Sequence, residues 1–399
     1  MRRISLIFAA TALSCAASDS LLKPINDLGY GTWVARAQTL SMIRDYENNA
    51  PGNAYSTTLG LRLGYTTPEL AGLSAGFVWD YAEPVDATDQ SDNGKTLLAN
   101  GQINVLTETW VKYNFAAIGL TNTFVKAGRQ VVNGEVFRAD EFRQKPRSLE
   151  AILLITKDIP HTVLTVGHAW RLSNWIDNKN AWDFHDIEDT LGTTAYGTRG
   201  VTWVEGVYTG ITNLEIAAYD AYAYDIANIA GGRVKYTICD NTAINGYYRH
   251  EEDVGKGVDH RSDMFGASVQ QKIGDVTLEP GFFSVHGDNL LFQETTTGIN
   301  HPLGSSMMIY GGLFNGGSDT YYLKATTKIG KTVLYALYSY TVQDAASYDV
   351  GQELNVVVKQ PVTDRLSVAL KVGAGYRDLT DGTDNTFATD TRLFVTYDF

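Results

Sequence analysis

Cysteine is almost absent from the 399-residue chain: Cys15 and Cys239 are the two present. Cys15 lies within an N-terminal leader, so once the leader is removed Cys239 stands alone and no internal disulfide forms. Proline is also scarce, at nine residues, which removes the main obstacle to long uninterrupted strands. Charged residues make up only 19% of the chain and sum to −13, a balance that argues against a nucleic-acid partner. Beyond the leader no apolar run reaches eighteen residues, so no membrane-spanning helix is encoded. There is no HExxH, no pair of CxxC motifs, no Walker loop and no serine nucleophile motif. The acidic stretch DATDQSDNG (86–94) lacks the ligand spacing of a calcium loop. No catalytic residue, metal ligand or cofactor is therefore assigned, and the chain is not expected to be an enzyme.

What the chain does have is glycine, tyrosine and alternation. Gly numbers 38 and Tyr 23, a balance that favours strands and tight turns. In YSTTLGLRLGY (55–65), Tyr55, Thr57, Leu59, Leu61, Leu63 and Tyr65 alternate with Ser56, Thr58, Gly60, Arg62 and Gly64. One face is apolar and the other small or polar. LSAGFVWDY (73–81) repeats the pattern. About eighteen such segments follow one another, beginning near Gly29, Tyr55, Gly72, Asn104, Leu120, Ser148, Thr162, Gly200, Thr212, Gly231, Thr242, Arg261, Val276, Ser318, Lys331, Asp349, Asp364 and Phe387. Every second connection is short: 67–70, 116–119, 158–161, 210–213, 239–243, 273–275, 329–331 and 360–363. The others are mostly longer and more polar, notably 83–103, 132–147, 173–199 and 287–317.

Short turns alternating with long loops on an even strand count predict an all-β fold, a transmembrane antiparallel β-barrel of about eighteen strands. Only its outward row must be apolar, which reconciles a membrane wall with a slightly polar mean hydropathy. Residues 1–18, MRRISLIFAATALSCAAS, read as a secretory signal cleaved near Ala16–Ser18, leaving 19–399 as a single barrel. The expected location is the bacterial outer membrane, with its lipid and lipopolysaccharide as surroundings. The chain closes on RLFVTYDF (392–399), and a final strand ending on Phe399 suits recognition by the barrel-assembly machinery. Trp33, Tyr65, Trp79, Tyr81, Trp170, Tyr222, Tyr338 and Tyr340 fall near segment ends, as interfacial aromatic girdles require. No outward row singles out a subunit interface, so monomer and homotrimer both stay open.

The inward rows carry the functional signal. Arg62, Lys112, Lys126, Arg233, Lys235, Arg249, Lys324, Lys359, Lys371 and Arg392 are expected to face the lumen. Fewer acids lie on strands: Asp80, Glu108, Glu150, Glu215 and Glu279. A charge on the lipid face costs about 2–4 kcal/mol, so inward placement is forced, and the basic surplus is the informative part. The plainer reading is that these side chains merely pair with carboxylates. The loop near 132–147 is predicted to fold inward, with Arg129, Arg138, Arg143, Arg147, Glu135, Asp140 and Glu141 as constriction residues.

GRQ closing a strand, then a charged loop with Arg143 and Pro146, then a strand beginning SLE resembles the OprD family of substrate-selective outer-membrane porins. The resemblance implies an eighteen-stranded barrel with a basic ladder, passing small molecules that are often carboxylates. Arg129, Arg143 and Arg147 are the residues carried over as constriction or ladder candidates. The acidic pair Asp140–Glu141 departs from that pattern. The expected function is a passive diffusion channel for small hydrophilic solutes or ions, favouring anions or carboxylates. A structural or adhesive barrel, or a barrel hydrolase with a Ser–His–Asp site at its rim, are the alternatives.

Overall fold

Period-2 alternation with turn residues at regular spacing gives strands long enough to cross a bilayer. A computed structural model of the chain describes residues 22–47, 54–87, 103–139, 143–174, 183–187, 199–255, 259–291, 315–343, 348–379 and 386–399. After a one-turn helix α1 (Lys23–Asn26), the strands are β1 (Thr32–Tyr46), β2 (Ala54–Thr66), β3 (Leu73–Ala87), β4 (Ile103–Asn114), β5 (Thr123–Gln130), β6 (Ser148–Thr156), β7 (Thr162–Ser173) and β8 (His185–Asp186). Then come β9 (Val201–Ile211), β10 (Leu214–Ala223), β11 (Ala227–Cys239), β12 (Thr242–Asp253), β13 (Arg261–Ile273) and β14 (Val276–Gly287). The last are β15 (Ser318–Ile329), β16 (Thr332–Gln343), β17 (Tyr348–Pro361), β18 (Leu366–Leu379) and β19 (Thr386–Asp398).

All pairings are antiparallel, and β1 pairs with both β2 and β19, which closes the sheet. β8 is a two-residue strand on the end of β7, and β7 pairs directly with β9. The closed wall is therefore an eighteen-stranded transmembrane β-barrel. Closure leaves no unpaired backbone edge facing lipid.

Three boundaries differ from expectation for local reasons, and β5 starts at Thr123 rather than near Leu120 because the Thr123 N–H closes a turn on the Leu120 carbonyl (3.3 Å). β1 starts at Thr32 rather than near Gly29, because α1 precedes it and Gly29 and Gly31 take positive φ. β11 starts at Ala227, because only residues 224–226 separate it from β10, so one connection at the long-loop end is tight.

Register decides the faces. Along β2, Leu59 and Leu61 are 48% and 47% exposed while Ser56 and Thr58 are 1% exposed. The apolar row looks outward and the small polar row inward. Outward aromatics gather at both ends. Trp33, Tyr65 and Phe77 pack together at the short-turn end. Trp170, Tyr222, Tyr224 and His168 pack at the other. Leu393, Val395 and Tyr397 continue the outward row on β19, against Ser41, Thr39 and Ala37 of β1.

Candidate functional site: the lumen and the loop across it

The connection 131–147 leaves the wall at β5 and turns into the barrel. Gly134 donates to the Phe137 carbonyl (2.8 Å) and Arg147 to the Ala139 carbonyl (2.7 Å), which folds the segment back on itself. Its first arm reaches β9 and β11. The Glu205 carboxylate accepts from the backbone N–H of Glu135 (2.8 Å) and Val136 (3.0 Å). A Cβ at 134 would meet that carboxylate, so any side chain there would have to push the Glu205 carboxylate aside. Phe137 meets Trp203 edge-on at 4.7 Å. Both join a buried apolar cluster with Val132, Leu149, Leu153 and Ile229. The Glu135 carboxylate accepts from Arg233 at 3.0 and 3.2 Å, and Arg233 also binds Glu215.

The returning arm reaches the wall formed by β1 and β2. Gln144 Nε2 donates to Thr58 Oγ1 (2.6 Å), and Gln38 Nε2 donates to Gln144 Oε1 (3.1 Å) and the Arg143 carbonyl (3.2 Å). Lys145 Nζ donates to Ser173 Oγ (2.8 Å), the Asn174 carbonyl (2.7 Å) and the Pro146 carbonyl (3.3 Å). All three acceptors are neutral and Lys145 is buried. Burial pushes its ammonium down to about 7, with Asp80 opposing the shift and Arg62 and Arg147 adding to it.

The ten strand residues Arg62, Lys112, Lys126, Arg233, Lys235, Arg249, Lys324, Lys359, Lys371 and Arg392 all take inward register positions. They divide by surroundings. Toward the long loops, Arg249 binds Glu251, which also takes His260 Nε2 at 2.7 Å and the Leu291 N–H at 2.8 Å. Arg392 shares Asp390 with Arg44, and all three are buried. Nearer the short turns, Arg62 pairs with Asp80 (2.8 Å), Lys126 with Glu108 (3.6 Å) and Lys324 with Glu279 (2.9 Å). Lys112, Lys235 and Lys359 have no carboxylate in ion-pair range among the described residues, and Lys359 is exposed. Cations here lie against rings: Lys112 on Phe124 (5.1 Å), Lys126 on Trp110 (4.4 Å) and Lys371 on Phe394 (5.1 Å).

Of the loop candidates, Arg143 and Arg147 are buried in the packing of the loop, with Arg147 donating to Asn174 Oδ1 and the Arg138 carbonyl. Arg138 is half-buried. Arg129 lies opposite Thr109 and Glu150 in register, the parity opposite to Lys126 and Gln130, and its guanidinium rests 4.2 Å over Phe184. Glu135 meets Arg233. Asp140 and Glu141 lie outside the described residues. Sequence reasoning missed Glu205, Gln144, Arg44 and Asp390. Glu205 was readable, because it shares the parity of Trp203 in VTWVEGV; the others show their role only once their distant partners are known.

Among the described residues a rim Ser–His–Asp relay is not assembled. Ser284, His286 and Asp319 gather on the outward face, but the Ser284 hydroxyl bridges His286 Nε2 (3.1 Å) and the Asp319 carboxylate directly. The carboxylate contacts the hydroxyl rather than the imidazole, so it does not orient the base as acyl transfer needs.

No protein-family model matches the chain. No curated protein matches it either. Solved structures do. A BenF-like porin from Pseudomonas fluorescens Pf-5 superposes with a TM-score of 0.76 at 15% identity, over 92% of this chain and 98% of that one. OccK2 (OpdF) of Pseudomonas aeruginosa in complex with glucuronate gives 0.72 at 16% identity, over the same shares. OpdK of Pseudomonas aeruginosa with vanillate gives 0.72 at 13% identity, again over 92% and 98%. At these identities the likeness lies in the fold, and the chain has the barrel architecture of OprD-type porins.

Proposed function

We propose that the protein is a passive diffusion channel of the bacterial outer membrane for small hydrophilic solutes, with a preference for anions or carboxylates. The observation that carries this reading is the lumen below the folded-in loop. There Lys112, Lys235 and Lys359 face inward with no carboxylate in ion-pair range among the described residues, while the strand acids Asp80, Glu108, Glu215 and Glu279 are each matched to a cation. Surplus charge of one sign along a passage lowers the barrier for solutes of the other sign. The glucuronate and vanillate seen with the structural neighbours are both carboxylates, which supports the same class here. The short turns then face the periplasm.

Solute enters from the long-loop side, passes the segment 131–147 and moves along the lumenal lysines. Glu135 and Arg138 stand at the narrowing. Arg143 and Arg147 act by holding the loop in place, and Arg129 supports its root. Export by the signal at 1–18, insertion through β19 and contact with lipopolysaccharide complete the reading. No cofactor or energy source is implied.

The test is a planar bilayer under a salt gradient with the purified folded barrel. Steady conductance with an anion-favouring reversal potential is expected. A verified barrel that conducts nothing would overturn the channel reading, and a cation-favouring reversal would overturn the preference.

A further inference from the structure

Several large inward aromatics on this wall stand beside a glycine, whereas Tyr335 and Phe394 do not. Trp110 on β4 stands in register between Gly76 on β3 and Gly128 on β5. Trp203 stands beside Gly167, Tyr219 beside Gly231 and Tyr322 beside Gly281. In each pair except Trp110 with Gly128, a Cβ added to the glycine would run into the ring. The rings therefore lie along the wall in space the glycines leave open.

Trp203 and Tyr219 belong to the cluster beneath the loop 131–147. Trp110 does not, and it is half-buried in the short-turn half of the lumen. A Cβ on Gly76 would lie 2.5, 2.9 and 3.1 Å from Trp110 Cζ2, Cε2 and Cη2, with no backbone atom among those contacts. From the opposite flank Lys126 Nζ comes to 4.4 Å of the ring centre, and Lys126 is the register partner of Lys112.

We infer that Gly76 is a specificity-determining position of the passage: its missing side chain lets the Trp110 indole lie against the wall, which sets the local bore and seats the Lys126 ammonium beside Lys112. The inference rests on the channel reading. Filling position 76 lifts the indole into the lumen and displaces Lys126, so the passage becomes narrower and less selective for anions.

The experiment compares wild type, Gly76→Ala, Trp110→Ala and the double variant in planar bilayers. The same proteins are labelled with 5-fluorotryptophan for 19F NMR, the Trp110 signal being the one lost in Trp110→Phe. Gly76→Ala is expected to lower single-channel conductance about 1.5- to 2-fold and to reduce anion preference. Trp110→Ala raises conductance, and Gly76→Ala then has no further effect in its background. The Trp110 fluorine signal shifts in Gly76→Ala whether or not the protein conducts. A silent wild type sinks the channel reading, yet the fluorine shift still decides the ring's position. A conducting wild type with equal effects of Gly76→Ala in both backgrounds, or an unmoved fluorine signal, overturns the role of Gly76. Should Gly76→Ala fail to fold, the double variant decides: it folds if the clash is with the indole, and its failure as well would overturn the inference.

Discussion

Arg249 and Lys112 both point into the lumen, yet Arg249 is 1% exposed against a buried carboxylate and Lys112 is half-exposed with none in reach among the described residues. The two halves of the lumen differ in that way at several cations, although Arg62 and Lys324 in the short-turn half keep close partners in the buried Asp80 and Glu279. Toward the long loops, Arg44, Arg392 and Asp390, or Arg249, Glu251 and His260, form closed groups covered by protein. Toward the short turns, Lys112 lies on a ring without a carboxylate in reach among the described residues, and Lys126 lies on a ring and faces Glu108 at 3.6 Å. Inward parity says that a charge avoids lipid. Whether it anchors a loop or meets a solute depends on what covers it.

The comparison breaks most sharply at Asp390. Asp390→Ala strips two buried guanidiniums of their shared counter-ion and should cost about 3–5 kcal/mol, the range for an uncompensated buried charge. Thermal unfolding of the purified barrel reads it, and a loss below about 1 kcal/mol would place those charges at water after all.

Next comes Lys145. Its folded-state value of about 7 lies below the ordinary 10.5. Between those two the unfolded chain holds the extra proton, so stability rises with pH across that window. The rise should be on the order of a few kcal/mol, and Lys145→Met should flatten it. Melting temperatures of both proteins from pH 6 to 10 compare the slopes, and parallel curves would remove Lys145 from the account.

The short-turn half answers in selectivity instead. Lys112→Gln with Lys359→Gln should move the reversal potential toward cations while changing stability by about 0.5 kcal/mol or less, as for a half-exposed and an exposed site without buried partners. An unchanged reversal potential would make these lysines bystanders. The smallest effect belongs to Arg36 and Asp398, an ion pair at 2.8 Å with 32% and 54% side-chain exposure. A double-mutant cycle should return about 0–1 kcal/mol.

Much of this was legible in the chain. Leu59, Leu61 and Leu63 against Thr58, Gly60 and Arg62 announce two faces, because side chains along a strand point to alternate sides. The ten inward cations follow from the same parity, and the short connections at 273–275 and 329–331 announce the hairpins. Some of the site was not legible. Gln144 lies in a loop, where no period applies, and its partners Gln38 and Thr58 are remote in sequence. Arg129 reads as a strand-end charge like its neighbours, but only register assigns its side.

By itself the amino-acid order determined that this chain makes a closed wall with an apolar outside and a charged inside, since alternation is local and a charge in lipid is costly. Only the tertiary structure decided which inward charges are buried in closed groups and which stand at water. That choice rests on what packs across the lumen, the loop 131–147 between β9 and β2 and Leu291 over Arg249 and Glu251, a matter of burial that no local pattern records.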